Sequence, residues 1–166
     1  MLTIDTFRPP DLPIVTRFVE TIQEHERVNV PDLKPATEIG SHYAQTLIRT
    51  VAERNGCIRM ARTTLSTVGF VCAWPEVDDD PLLHDDVRTY AYVSDIFIEH
   101  AWRRQGVALR LLDAIESEML SRGCRRIRIC SKAANHGALE CYRKAGYRPY
   151  EITLTKQLKT ESRISS

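Results

Sequence analysis

The sequence predicts a mixed-sheet α/β domain, and three observations predict it. Two segments near the start repeat their apolar residues at helical spacing. Three strand-like runs then fall between residues 57 and 98. After these come a helix, a strand and a second helix in turn. At 166 residues and 43% apolar content the chain can bury one proper core. It contains no internal repeat, low-complexity stretch or linker that would divide it.

Leu2 to Phe7 alternates like a first strand, and Arg8-Pro9-Pro10 stops it. Asp11 is placed to cap a helix to about Arg27, with Leu12, Val15, Phe18, Val19 and Ile22 as its apolar stripe. After Pro31 and Pro35, a second helix is expected from Thr37 to Arg54 on Ile39, Tyr43, Leu47 and Val51, stopped by Asn55-Gly56. Cys57–Thr63 and Thr67–Trp74 read as a hairpin, and Glu76–Asp86 as an acidic loop. The apolar run Ala91–Ile98 is a further strand, leading through Arg103–Ala108 into a helix on Val107, Leu111, Leu112, Ile115, Met119 and Leu120 that Gly123 ends. Arg125–Cys130 alternates, with Ile127 and Ile129 on one face and Arg126 and Arg128 on the other. Asn135 can cap a helix through Ala138, Leu139 and Tyr142 that stops at Gly146. A last strand pair is expected around Tyr147–Pro149 and Ile152–Leu158, giving a domain over 1–159 and a polar, frayed tail over 160–166.

Composition narrows the function. With 23 basic and 22 acidic residues the net charge is +1, which argues against a nucleic-acid binder acting by bulk charge. Cys57, Cys72, Cys124, Cys130 and Cys141 form no CxxC pair and sit mostly in apolar stretches, so they read as reduced core thiols. No basic segment followed by an apolar run opens the chain, and no stretch reaches the roughly 20 apolar residues of a membrane span. The expected setting is the cytoplasm, away from any membrane.

The segment Arg103-Arg104-Gln105-Gly106-Val107-Ala108 is the most telling one. A strand that ends in a basic, glycine-containing turn at a helix start suits a phosphate. First-turn N–H groups lack intrahelical acceptors, the helix dipole adds positive charge, and a glycine lets an anion approach the backbone. The arginines add charge-assisted hydrogen bonds. About 27 residues beyond Ala108 stands Asn135-x-x-Ala138-x-x-x-Tyr142-x-x-x-Gly146-Tyr147.

Arg103, Gly106 and Ala108 fit the pattern [Arg/Gln]-x-x-Gly-x-[Gly/Ala]. With the Asn135–Tyr147 motif, the chain resembles the GCN5-related N-acetyltransferases (GNAT). The resemblance covers nearly the whole element order and is most specific between 90 and 150. It implies a mostly antiparallel central sheet with a splayed strand pair, flanked by helices. It implies acetyl-CoA as acetyl donor, with the pyrophosphate on the amides of Arg103, Arg104, Gln105, Gly106, Val107 and Ala108. The pantetheine arm would lie along Ile96, Phe97 and Ile98 and meet Asn135 and Ala138. Tyr142 would protonate the leaving thiolate after direct attack by an amine, with no covalent intermediate. The family glutamate expected beside Asp95 is replaced by Ser94, and another position used by relatives is Tyr92. The base therefore stays open among Asp95, Glu99, His100 and water, with a structural role for Asp95 as the other reading.

The acceptor would be an amine-bearing small molecule or peptide, met by the first two helices and facing strand ends. That places Glu24-His25-Glu26 and the loop Glu76–Asp80 as candidate acidic walls, and Trp74 and Tyr43 as candidate apolar or cation–π surfaces. A solvated acidic loop and core packing are the plainer readings of these. The histidines show no paired metal-ligand spacing, so no metal is implied. Neither Gly-x-Gly-x-x-Gly near the first strand nor Gly-Lys-Ser/Thr occurs, which removes Rossmann and P-loop readings. A non-catalytic acyl-CoA sensor is the alternative to the enzyme, and a homodimer fits the family's habit.

Overall fold

The computed structural model describes residues 1–158, and the tail assigned to 160–166 lies outside them, as does residue 159. Five strands form one sheet in the order β1-β2-β3-β4-β5: β1 Thr3–Thr6, β2 Cys57–Arg62, β3 Thr67–Val77, β4 Thr89–Ile98 and β5 Ile127–Ile129. The first three pairings are antiparallel and β4 with β5 is parallel. Helices α1 (Leu12–Arg27) and α2 (Ala36–Glu53) cover one face; α4 (Val107–Ser121) covers the other. A four-residue helix α3 (Asp85–Arg88) interrupts the expected acidic loop, and α5 (His136–Lys144) follows β5.

Each face has its own core. Phe18, Leu47, Ile58, Met60, Phe70 and Phe97 meet under α1 and α2, with the Phe18 and Phe97 rings 4.6 Å apart. Val68, Val71, Val93, Leu111, Ile115 and Met119 meet under α4. The predicted apolar stripe of α1 is the buried one. That of α2 is rotated: Gly40, Ala44, Leu47 and Val51 are buried, while Tyr43 stands at the rim. Small residues let α2 close on α1, and a Cβ at Gly40 would lie 2.4 Å from Glu20 Oε1. The backbone departs from helical geometry at that same glycine.

Asp11 does not cap α1. Its carboxylate accepts from the Arg8 N–H (2.7 Å) and from Arg62 on β2 (2.6 Å), so it closes the 3-10 turn Pro9–Asp11 and ties it to the sheet. Asn135 does cap α5, its Oδ1 accepting from the Ala138 N–H at 3.2 Å. Asn55, at φ 52°, ends α2 in the left-handed conformation, where asparagine is tolerated. Three of the five thiols are buried, but Cys130 is exposed at the end of β5 and Cys141 is half-buried.

The expected final strands are absent. Residues 148–158 form no ladder, and Ile152, Leu154 and Leu158 are exposed. Alternation alone cannot make a strand, because its N–H and C=O groups need a partner edge. Here β5 is three residues long and pairs only with β4.

Candidate active site

The site begins with a defect in β4. Cys72 pairs with Asp95 while the next residue, Ala73, pairs with Val93, so Ser94 is the extra residue of a β-bulge. The bulge resets side-chain alternation: Tyr92 and Phe97 face the α1/α2 core, Val93 and Ile96 the α4 core. Asp95 is aimed under α2, where its carboxylate accepts from the Tyr43 hydroxyl (3.0 Å) and from Ser94 Oγ (2.6 Å). The Cys72 thiol donates more weakly at 3.9 Å. Burial pushes the Asp95 carboxyl above the usual carboxylate range, against these hydrogen bonds, which pull it down. Burial also raises the Tyr43 phenol, with the Asp95 charge adding to it.

The bulge also marks where two strands part. The parallel ladder runs through Ala91–Ile127, Tyr92–Arg128 and Val93–Ile129 and stops there. Beyond it, one edge of β4 has no neighbour among the described residues. The Glu99 N–H bonds Val68 of β3, so strand alternation turns Phe97 toward β3 and leaves the backbones of Ile96 and Ile98 on the open edge. Arg103 Nε already occupies the Ile98 carbonyl at 3.1 Å. The Phe97 ring belongs to the core.

The wedge leads to the turn before α4. Gly106 sits at φ 78° and Arg104 at φ 60°, both left-handed, and among the described residues the N–H groups of 104–108 make no well-formed hydrogen bond. A Cβ built on Gly106 meets nothing within 4 Å, so the turn is an open cradle of donors. Gln105 folds its amide back onto the Ala101 carbonyl (2.7 Å), leaving Arg103 and Arg104 as the turn's cationic side chains. Such a cradle fits a pyrophosphate, and the open β4 edge fits a chain of amides pairing like a strand.

Next to this turn lies a cleft of about 320 Å³, in which Arg103, Lys132, Asn135 and His136 face His25 and Glu26 of α1. Of the acidic triplet foreseen there, Glu24 is diverted, accepting from the Ala36 N–H (2.6 Å) and Arg27 (2.8 Å). Asp78 of the acidic loop is likewise held by Arg128 at 2.6 Å. Tyr142 is half-buried on α5, its ring 6.1 Å from that of Tyr147, whose hydroxyl donates to Glu116 (2.9 Å). Burial raises the Tyr142 phenol, and the acidic groups Cys141, Glu26 and Asp95 add to the shift. The phenol is protonated at neutral pH, the state an acid needs. Ala138 donates its N–H to Asn135 one turn before Tyr142.

Among the alternatives for a base, Glu99 is paired with Arg17 at 2.7 Å and His100 is exposed in a 3-10 turn. Asp95 is the one of the three that, among the described residues, is neither ion-paired nor exposed. The Tyr43–Asp95 contact was not legible beforehand, since the partners lie 52 residues apart and only the Ser94 bulge brings them together. Among the described residues no three His, Cys, Asp or Glu side chains are grouped to hold a metal. Among the described residues no helix is long and apolar enough to cross a membrane.

The family model described as acetyltransferase (GNAT) family matches residues 66–147, from the start of β3 to Tyr147. No curated protein matches the chain. Among solved structures, the aminoglycoside acetyltransferase AAC(6')-Iy in complex with a CoA bisubstrate analog superposes with a TM-score of 0.72 at 14% identity, covering 96% of this chain and 99% of that one. The aminoglycoside 6'-N-acetyltransferase AAC(6')-IG from Acinetobacter haemolyticus gives 0.72 at 14%, with the same coverage. A GCN5-related N-acetyltransferase from Ralstonia eutropha JMP134 gives 0.73 at 12%, covering 95% and 99%. At such identities the likeness speaks for the fold.

Proposed function

The chain belongs to the acetyltransferase (GNAT) family, and we propose that it is an N-acetyltransferase that moves an acetyl group from acetyl-CoA directly to an amine of a small molecule or peptide. The observation that carries this reading is the wedge itself. Turn amides at Gly106 and an unpaired β4 edge lie end to end, and the bulge that carries Ser94 and Asp95 stands where that edge begins. Bound acetyl-CoA supplies the activated acyl carbon and a thiolate leaving group.

The chain's own residues then have defined tasks. The amides of 104–108, with Arg103 and Arg104, hold the pyrophosphate, and Gly106 keeps the approach clear. The Ile96 and Ile98 backbones hold the arm, and an N–H on that edge stabilises negative charge developing on the carbonyl oxygen. Asn135 and Ala138 line the cleft beside it. Asp95 receives the amine and draws off its proton, because a nucleophilic amine must be neutral. Its raised pKa makes it a better base than an exposed carboxylate. The Tyr142 phenol donates to the departing sulfur. Homodimerisation belongs to the same reading, supported by the exposed Ile152, Leu154 and Leu158 side chains beyond α5, as does a cytoplasmic setting.

The test is amine-dependent release of free CoA from acetyl-CoA, read with a thiol reagent. Wild-type protein should release CoA with at least one primary amine. Tyr142→Phe should lower kcat by about 10-fold to 100-fold while leaving acetyl-CoA affinity within about twofold. Binding of acetyl-CoA with no CoA release for any amine would make the chain a binding module instead.

A further inference from the structure

Asp95 is a carboxylate under α2 without a cation. Its hydrogen-bond partners are the neutral Tyr43, Ser94 and Cys72 groups, and no ion pair among the described residues includes it. A partly buried carboxylate commonly has a counter-ion, and here none comes from the described residues. Along the same sheet face, the Cys72–Asp95 pair is followed by the Trp74–Tyr92 pair, whose rings meet edge to face at 5.5 Å. Beside them opens a groove of about 350 Å³ lined by Thr50, Arg54, Trp74, Glu76, Tyr90 and Tyr92. Tyr43 and Thr50 lie seven residues apart on α2, which sets the Thr50 wall of the groove roughly 10 Å along the helix from the Tyr43–Asp95 contact.

The charges along the groove cancel. Glu76 is held by Arg54 and by the Trp74 Nε1–H at 2.7 Å. Asp78 is held by Arg128, whose guanidinium lies 4.1 Å over the Tyr90 ring. A ligand running along this wall therefore meets one free carboxylate, at the start, and then aromatic faces and charges that are already paired.

Resting on the transfer reading above, we propose that the acceptor is a monocation: one primary ammonium on a short linker bearing a flat, apolar body. The ammonium pairs with Asp95, and the body lies against Trp74, Tyr92 and Tyr90. Aromatic walls suit such a body and stabilise a nearby cation. A polycation would find no free carboxylate along this wall for its further charges, since Glu76 and Asp78 are already paired. This separates the chain's acceptor from the aminoglycosides that the similar structures' names carry.

The experiment titrates CoA-bound protein with phenethylamine, spermidine and kanamycin by calorimetry, and follows CoA release from acetyl-CoA with the same amines. Phenethylamine should bind at least tenfold more tightly than either polycation. Asp95→Asn should weaken it about tenfold with CoA affinity unchanged, which also reports an intact fold. Arg54→Gln, at a half-exposed position, frees Glu76 and should strengthen spermidine binding about tenfold. Tighter binding of a polycation to the wild type, or an Asp95→Asn protein that binds phenethylamine as before, overturns the proposal. Binding in the expected order without CoA release upholds the docking site and removes the transfer reading.

Discussion

Asp95 owes its properties to one inserted residue. Without Ser94 as a bulge, the alternation that puts Phe97 in the α1/α2 core would give Val93 and not Tyr92 the same face. The bulge leaves a partly buried carboxyl whose folded pKa is raised above the ordinary aspartate value of 3.8. Between those two values the folded chain binds more protons than the unfolded one, so stability falls as pH rises through that window and is level above it. Asp95→Asn does not titrate, so its Tm should exceed that of the parent at pH 7 and approach it below pH 3.8. A thermal melt series on both proteins checks this; a lower Tm at pH 7 would make the carboxylate a net structural asset. Residue roles that depend on local spacing were legible, as with Asn135 capping α5. Asp11 was misread because its partner Arg62 is 51 residues away, and nothing local told a cap from a tie to the sheet.

At the scale of elements, the β3–β4 pair holds the site. Gly69 stands opposite Ile98, where a Cβ would lie 2.6 Å from the Phe97 carbonyl and 3.0 Å from Ile98 Cδ1. Gly69→Ala should therefore cost about 1–3 kcal/mol in urea unfolding, a typical penalty for overpacking. It should also weaken acetyl-CoA binding, because the displaced residues carry the open edge. An unchanged urea midpoint would show that β4 yields freely. Helices and strands with a buried face declared themselves in the sequence, since burial writes its period into the chain. The segment after Tyr147 has strand alternation too, yet its outcome depends on an available edge, which no local pattern encodes.

At the scale of the whole molecule, function comes from two strands that start together and separate. The parallel β4–β5 ladder ends at Val93 and Ile129, the bulge lies at the fork, and α4 begins where the opening meets the surface. The Gly106 turn and the Asn135–Tyr142 helix were both legible as motifs. Their meeting across the wedge was expected from the family resemblance, because separation of strands leaves no periodic trace. Calorimetric titration with acetyl-CoA, with CoA, NAD and ATP alongside, tests this account most directly. Acetyl-CoA and CoA should bind in the micromolar range, about −8 kcal/mol, with no comparable binding of NAD or ATP and with loss of binding in a folded Gly106→Glu protein. Absence of binding to both CoA forms, or a Gly106→Glu protein that binds as tightly as the parent, would contradict it.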